Sequence, residues 1–128
     1  MIIDRFLIRI TAWVFALYGL GFVVAPAQLS QWVSATAPTT AIALTDMRAT
    51  YGGMSLAVGM VLYVLASSPQ TVRLGLQAVM IFMLAMAGGR IVGLVSDASA
   101  SAIMFIYLAL EIIVAVVASI LLRREPSS

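Results

Sequence analysis

The sequence predicts an all-α protein, a polytopic membrane four-helix bundle with a short interfacial helix between spans one and two. Three observations carry that reading. Of the 128 residues, 63% are hydrophobic and 9% charged, and mean hydropathy is +1.13; soluble domains carry roughly 25% charged residues. The apolar residues gather in four stretches of about 20, the length a helix needs to cross a bilayer. The links joining the later stretches are short and polar. The whole chain, residues 1–128, reads as one domain.

The first span runs from about Leu7 to Ala25. Arg5 and Arg9 precede an apolar stretch that ends in Ala25-Pro26-Ala27, a small-x-small pattern that also marks signal-peptidase sites. It is read as a retained span. From Pro26 to Leu44 the chain is more polar, yet Leu29, Trp32 and Val33 recur at helical spacing beside Gln28, Ser30, Gln31 and Ser34. That pattern predicts a short helix lying in the interface, with Trp32 at headgroup level.

The second span covers about Thr45 to Ala66, the third Val72 to Val95 and the fourth Ala102 to Leu122. All are read as helices, because an isolated strand would leave backbone groups unsatisfied in lipid. Ser67-Ser68-Pro69-Gln70-Thr71 forms a tight turn with a proline stop, and Ser96-Asp97-Ala98-Ser99-Ala100-Ser101 forms the other short link. Links this short make sequential helices antiparallel neighbours.

Four spans put both termini on one side. The segments on that side hold Arg5, Arg9, Arg73, Arg123 and Arg124, and the opposite connections hold no Arg outside the spans. The positive-inside rule then places both ends in the cytoplasm.

Composition also excludes chemistry. The seven basic residues are all Arg, set against three Asp and two Glu, and the chain has no Lys, His or Cys. Without Cys there are no disulfides, thiolate nucleophiles or Cys-ligated clusters. Without His, the usual haem and metal ligands and the commonest general base are missing. No cofactor and no metal site are expected. A net charge of +2 with scattered Arg does not make a nucleic-acid-binding face.

Charged groups inside a membrane are costly unless paired or hydrated, so they mark where function is sought. Five remain once the interfacial Arg and the terminal Asp4 and Glu125 are set aside: Asp46, Arg48, Arg90, Asp97 and Glu111. All belong to the outer half of the bilayer in this orientation, as do Tyr18, Tyr51 and Tyr107. Glu111 lies about 13 Å below the outer end of its span.

On the second span Arg48, Tyr51, Gly52, Ser55 and Gly59 form one stripe at α-helical spacing. On the third, Arg90, Gly93 and Asp97 share a face that Met86 and Met83 continue inward. On the fourth, Glu111 stands over Tyr107. Asp46 lies about 200° from Arg48 around the helix and points elsewhere or caps its start. The expected inward cluster is Arg48, Tyr51, Arg90, Asp97, Tyr107 and Glu111. The glycines Gly52, Gly53, Gly88, Gly89 and Gly93 are expected to let the second and third spans pack closely. The remaining methionines read as adaptable apolar filler.

The segments Arg48-Ala49-Thr50-Tyr51-Gly52-Gly53 and Gly89-Arg90-Ile91-Val92-Gly93, with Asp97 downstream and Glu111 in the last span, resemble the bacterial domain-of-unknown-function family 4345. The looser GRxxG pattern followed by Asp is also similar to DoxX-like four-helix membrane proteins. A glycine commonly follows that Asp in such sequences, whereas Ala98 stands here. The resemblance covers nearly the whole chain. It implies a bacterial inner-membrane protein with a distinctive polar cluster, and no reaction.

Three kinds of function follow. In the first, the Arg/Tyr/carboxylate cluster binds a lipid-like molecule, a quinone-like molecule, an anionic head group or a partner membrane protein, since Arg suits carboxylate and phosphate recognition. In the second, the chain is a small transporter acting as an oligomer, with Glu111 as proton carrier. Small multidrug exporters place their essential carboxylate in the first span, and this first span has none. In the third, the cluster is a closed set of salt bridges in an accessory subunit. Catalysis is not expected: there is no nucleophile elbow, zinc motif, phosphate loop or dinucleotide fingerprint. The expected surroundings are the lipid bilayer, with a homo-oligomer or a larger membrane complex open.

Overall fold

The computed structural model describes residues 1–97 and 101–124. Ala98, and with it the turn just after Asp97, lies outside the described residues. Among the described residues all regular structure is helical: α1 (Ile2–Val24), α2 (Pro26–Ser34), α3 (Ala41–Leu65), α4 (Val72–Ser96) and α5 (Ala102–Arg123). Helices α1, α3, α4 and α5 are each long and apolar enough to cross a membrane, with mean hydropathies over an 18-residue stretch of 1.9, 1.2, 2.1 and 2.7.

Local chemistry sets the boundaries. α1 stops where Ala25 leaves helical geometry and Pro26, which has no N–H, starts α2 at its first turn. α2 ends on Ala35 in the left-handed conformation, φ 59°. That geometry is unfavourable for a residue with a Cβ, and a small hydroxyl network holds it. Buried Ser30 donates to the Thr36 carbonyl at 2.8 Å, and Ser34 donates to the Ser30 carbonyl at 2.8 Å. Trp32 on α2 is 78% exposed, as an interfacial anchor requires.

The second span begins earlier than its hydropathy indicates, at Ala41, because the Thr40 hydroxyl caps the helix by accepting from Ala43 N at 3.2 Å. Inside α3 the residues Arg48–Gly53 form a π-helical turn. A wider turn shifts the phase of everything after it, so the stripe drawn at regular α spacing is not continuous. On α3 the buried positions are Gly52, Gly59 and Leu62, while Arg48 and Tyr51 are exposed.

The chain divides into two compact units. One comprises Met1–Ile8 and Leu65–Ser128. In it α4 and α5 pack on each other, and their buried apolar positions include Leu76, Val79, Met83 and Ala87 on α4 and Ala115, Ala118 and Leu121 on α5. Both sets follow helical spacing. Gly75 lets Ile8 approach: a Cβ there would lie 2.8 Å from Ile8 Cδ1. Thr71 closes the turn before α4 by donating to the Leu65 carbonyl at 2.7 Å. Arg73 donates to the Leu122 carbonyl at 3.0 Å, serving the open C-terminal end of α5.

The other unit is Arg9–Val64. Here α1 and α3 meet backbone to backbone at glycines. A Cβ on Gly59 would lie 2.6 Å from the Ala12 carbonyl oxygen and 2.7 Å from Ala16 N. One on Gly52 would lie 2.8 Å from Val23 N. Small residues permit this approach where lipid supplies no hydrophobic drive.

Candidate functional site

In the unit containing α4 and α5, one turn of each helix builds a polar site. Met104, Tyr107 and Glu111 lie at i, i+3 and i+7 on α5 and therefore share a face. Arg90 comes from α4. Its Nε donates to both Glu111 carboxylate oxygens at 3.1 Å each, and Nη2 reaches Oε1 at 2.5 Å. Nη1 donates to Met104 Sδ at 3.3 Å, and the guanidinium carbon sits 5.1 Å from the centroid of the Tyr107 ring.

Burial is uneven across the pair. The Glu111 side chain is 6% exposed, whereas the Arg90 side chain retains 21%. The exposed part of Arg90 faces a cleft of about 300 Å³ lined by Met86, Gly89, Arg90, Gly93, Leu94 and Met104. An added Cβ at Gly88 or Gly89 would meet no described atom within 4 Å. Gly89 therefore leaves a Cβ-sized space in the cleft wall. At Gly93 the Cβ would meet Asp97 Oδ2 at 3.9 Å, which places the Asp97 carboxylate beside that wall.

A buried carboxylate held by a partly exposed guanidinium can do two things. It can fix helix register, or it can present a positioned cationic donor to a molecule entering from the apolar side. The thioether of Met104 is a weak acceptor, so the Nη1–Sδ contact is weaker than the bonds to the Glu111 carboxylate. Among the described residues no group of His, Cys, Asp or Glu has metal-binding geometry.

Arg48 and Tyr51 lie in the other unit and have local partners there. Arg48 Nη1 donates to the Val23 carbonyl and, at 3.3 Å, to that of Val24. These carbonyls end α1, where the chain breaks at Ala25 and can no longer return N–H groups to them. Arg48 therefore caps α1 and places its charge at the negative end of that helix. Tyr51 stacks on Phe22 at 5.5 Å between centroids, and Phe22 in turn packs on Tyr18 at 4.8 Å. Among the described residues, a Cβ on Gly53 would meet only the Arg48 carbonyl, at 3.8 Å.

Of the six residues expected to cluster, the structure thus brings Arg90, Tyr107 and Glu111 into direct contact. Asp97 is exposed at the end of α4, and its N–H donates to the Gly93 carbonyl at 2.9 Å. One contributor carries no charge to mark it in the sequence: Met104 reads as apolar filler, although its spacing from Tyr107 and Glu111 puts it on their face. In the Arg9–Val64 unit, the π-turn that contains Gly52 and Gly53 is likewise hidden from regular helical spacing. A second, apolar groove of about 430 Å³ lies in the Arg9–Val64 unit, between Ala12, Trp13 and Ala16 of α1 and Gly59, Met60, Tyr63 and Val64 of α3. Tyr63 there meets Trp13 edge to face at 6.2 Å and lies under Arg9 at 5.9 Å.

The model of a family described as a domain of unknown function (DUF4345) matches residues 3–122. No curated protein and no solved structure matches the chain.

Proposed function

We propose a binding function for this chain, which belongs to the DUF4345 family of domains of unknown function: it holds the polar head of a lipid-like molecule at Arg90. One observation carries the reading. Arg90 is anchored by a buried carboxylate and at the same time lines a cleft walled by Met86, Leu94 and Met104, the last of which its Nη1 contacts. An ion pair serving packing alone needs no such opening. Pre-anchoring the guanidinium lowers the cost of ordering it when a ligand arrives.

The same geometry weighs against a proton-coupled transporter. Arg90 engages both oxygens of Glu111, which favours a held ion pair over a relay that must release and recapture a proton. A structural role remains the second reading, supported by the near-complete burial of Glu111. We also place both termini in the cytoplasm of a bacterium, with the Arg90 cleft in the outer half of the inner membrane. The Arg distribution supports this orientation.

The test is native mass spectrometry of protein extracted gently from its own membrane, comparing parent with the double variant Arg90→Met/Glu111→Leu. Removing both charges together leaves no orphaned ion, and such replacements of a buried pair are commonly tolerated. Binding at the cleft predicts a bound small molecule that the double variant loses. An identical bare or oligomeric spectrum from both proteins would establish the structural reading instead.

A further inference from the structure

We infer that the molecule held at Arg90 presents an uncharged carbonyl oxygen to it, not a carboxylate or a phosphate. The inference rests on the binding reading above and narrows it to one ligand class. It follows from the charges around the cleft. Arg90 carries one positive charge, and Glu111 neutralises it at 2.5–3.1 Å. Asp97 adds a second carboxylate beside the Gly93 wall, 3.9 Å from the point a Cβ there would occupy. The described charges near the cleft therefore sum to −1. An entering anion would share a guanidinium already claimed by one carboxylate and approach a second, in a medium that screens poorly.

A carbonyl avoids both difficulties. It accepts a hydrogen bond without bringing charge, and it is a better acceptor than the Met104 thioether that now faces Nη1 at 3.3 Å. Gly89 leaves room for it, since a Cβ there would meet no described atom within 4 Å. Met86, Leu94 and Met104 give the rest of the molecule an apolar and adaptable wall. Two sources share this chemistry: the ester carbonyl of a bilayer lipid, and a separate neutral molecule bearing an amide, ester or ketone.

The experiment compares two probes of equal chain length, tritiated hexadecanamide and hexadecanesulfonate, binding to the full chain in nanodiscs of ether-linked phosphatidylcholine. These lipids contain no ester carbonyl. The parent is expected to hold the amide at least about tenfold more tightly than the sulfonate. Glu111→Gln, which frees the charge of Arg90, should move the ratio toward the sulfonate by a similar factor. Repeating the assay in ester-linked lipid identifies the source: competition assigns the bilayer ester, and unchanged binding assigns a separate molecule.

A parent that prefers the sulfonate, with both probes lost in Arg90→Met/Glu111→Leu, would overturn this inference and leave the binding reading standing. Binding of neither probe, or equal binding to parent and double variant, would overturn both. An amide preference that Glu111→Gln does not shift would also overturn the inference, because its cause would be gone. Should that variant fail to fold, the ratio measured on the parent alone decides.

Discussion

Arg90 and Glu111 stand 21 residues apart in sequence and meet through Nε and Nη2, so that one guanidinium edge covers both carboxylate oxygens. The pair joins α4 and α5, and Nη1 contacts Met104, which lines the cleft together with Arg90. The structural role of the pair and its proposed role in recognition are therefore separable by mutation.

Arg90→Met alone leaves Glu111 buried without its counter-charge and should destabilise the protein by about 3 kcal/mol, the lower end of what breaking a buried pair costs, since Arg90 is partly exposed. Adding Glu111→Leu should return stability to near the parental level. Thermal unfolding in a fixed detergent reads both. If the double variant were as unstable as the single, unpaired charge would not be the cause.

The glycines divide into those that bring helices together and those that do not. Gly59→Ala would push a Cβ to 2.6 Å from the Ala12 carbonyl, which should cost about 1–3 kcal/mol through forced displacement of α1. Gly88→Ala meets no described atom and should stabilise its helix by roughly 0.5–1 kcal/mol. The same unfolding assay should show shifts of opposite sign.

Arg48→Met should uncap α1. Its Val23 and Val24 carbonyls would lose a charged donor, with a loss of about 1 kcal/mol and faster amide exchange at the α1–α2 junction. Unchanged exchange from Val23 to Gln31 would show that the cap is dispensable.

Because the chain has no Cys, single cysteines report topology without background. In intact cells, Gln31→Cys on α2 should react with an impermeant thiol reagent, and Gln70→Cys should react only after the membrane is opened. The reverse pattern would invert the orientation proposed from the Arg distribution.

Much of the fold was legible because lipid imposes a simple rule. A run of about 20 apolar residues must be helical, and Pro26 and the Ser67–Thr71 turn punctuate such runs plainly. The start of α3 was less legible, since Ala41–Leu44 takes its helical state from the Thr40 cap and not from hydropathy alone. The π-turn at Arg48–Gly53 escaped because periodicity arguments assume one residue count per turn, and one wide turn breaks that assumption.

The candidate site was legible where side chains find side chains. Tyr107 and Glu111 are one helical turn apart, and Arg90 was placed at a matching depth by orientation. The partner of Arg48 was not legible, because a backbone carbonyl carries no sequence signature. Only the helix break before Pro26 hints that α1 leaves acceptors open there.

The most direct measurement places a photoreactive diazirine amino acid at position 86, in the wall of the Arg90 cleft, and in a separate protein at position 92, which is 63% exposed on the same helix. Irradiation in the native membrane, followed by mass spectrometry, identifies what each position touches. A defined adduct at 86 that is absent at 92 is the predicted result. The same mixture of bulk lipid at both positions would contradict a binding site at Arg90.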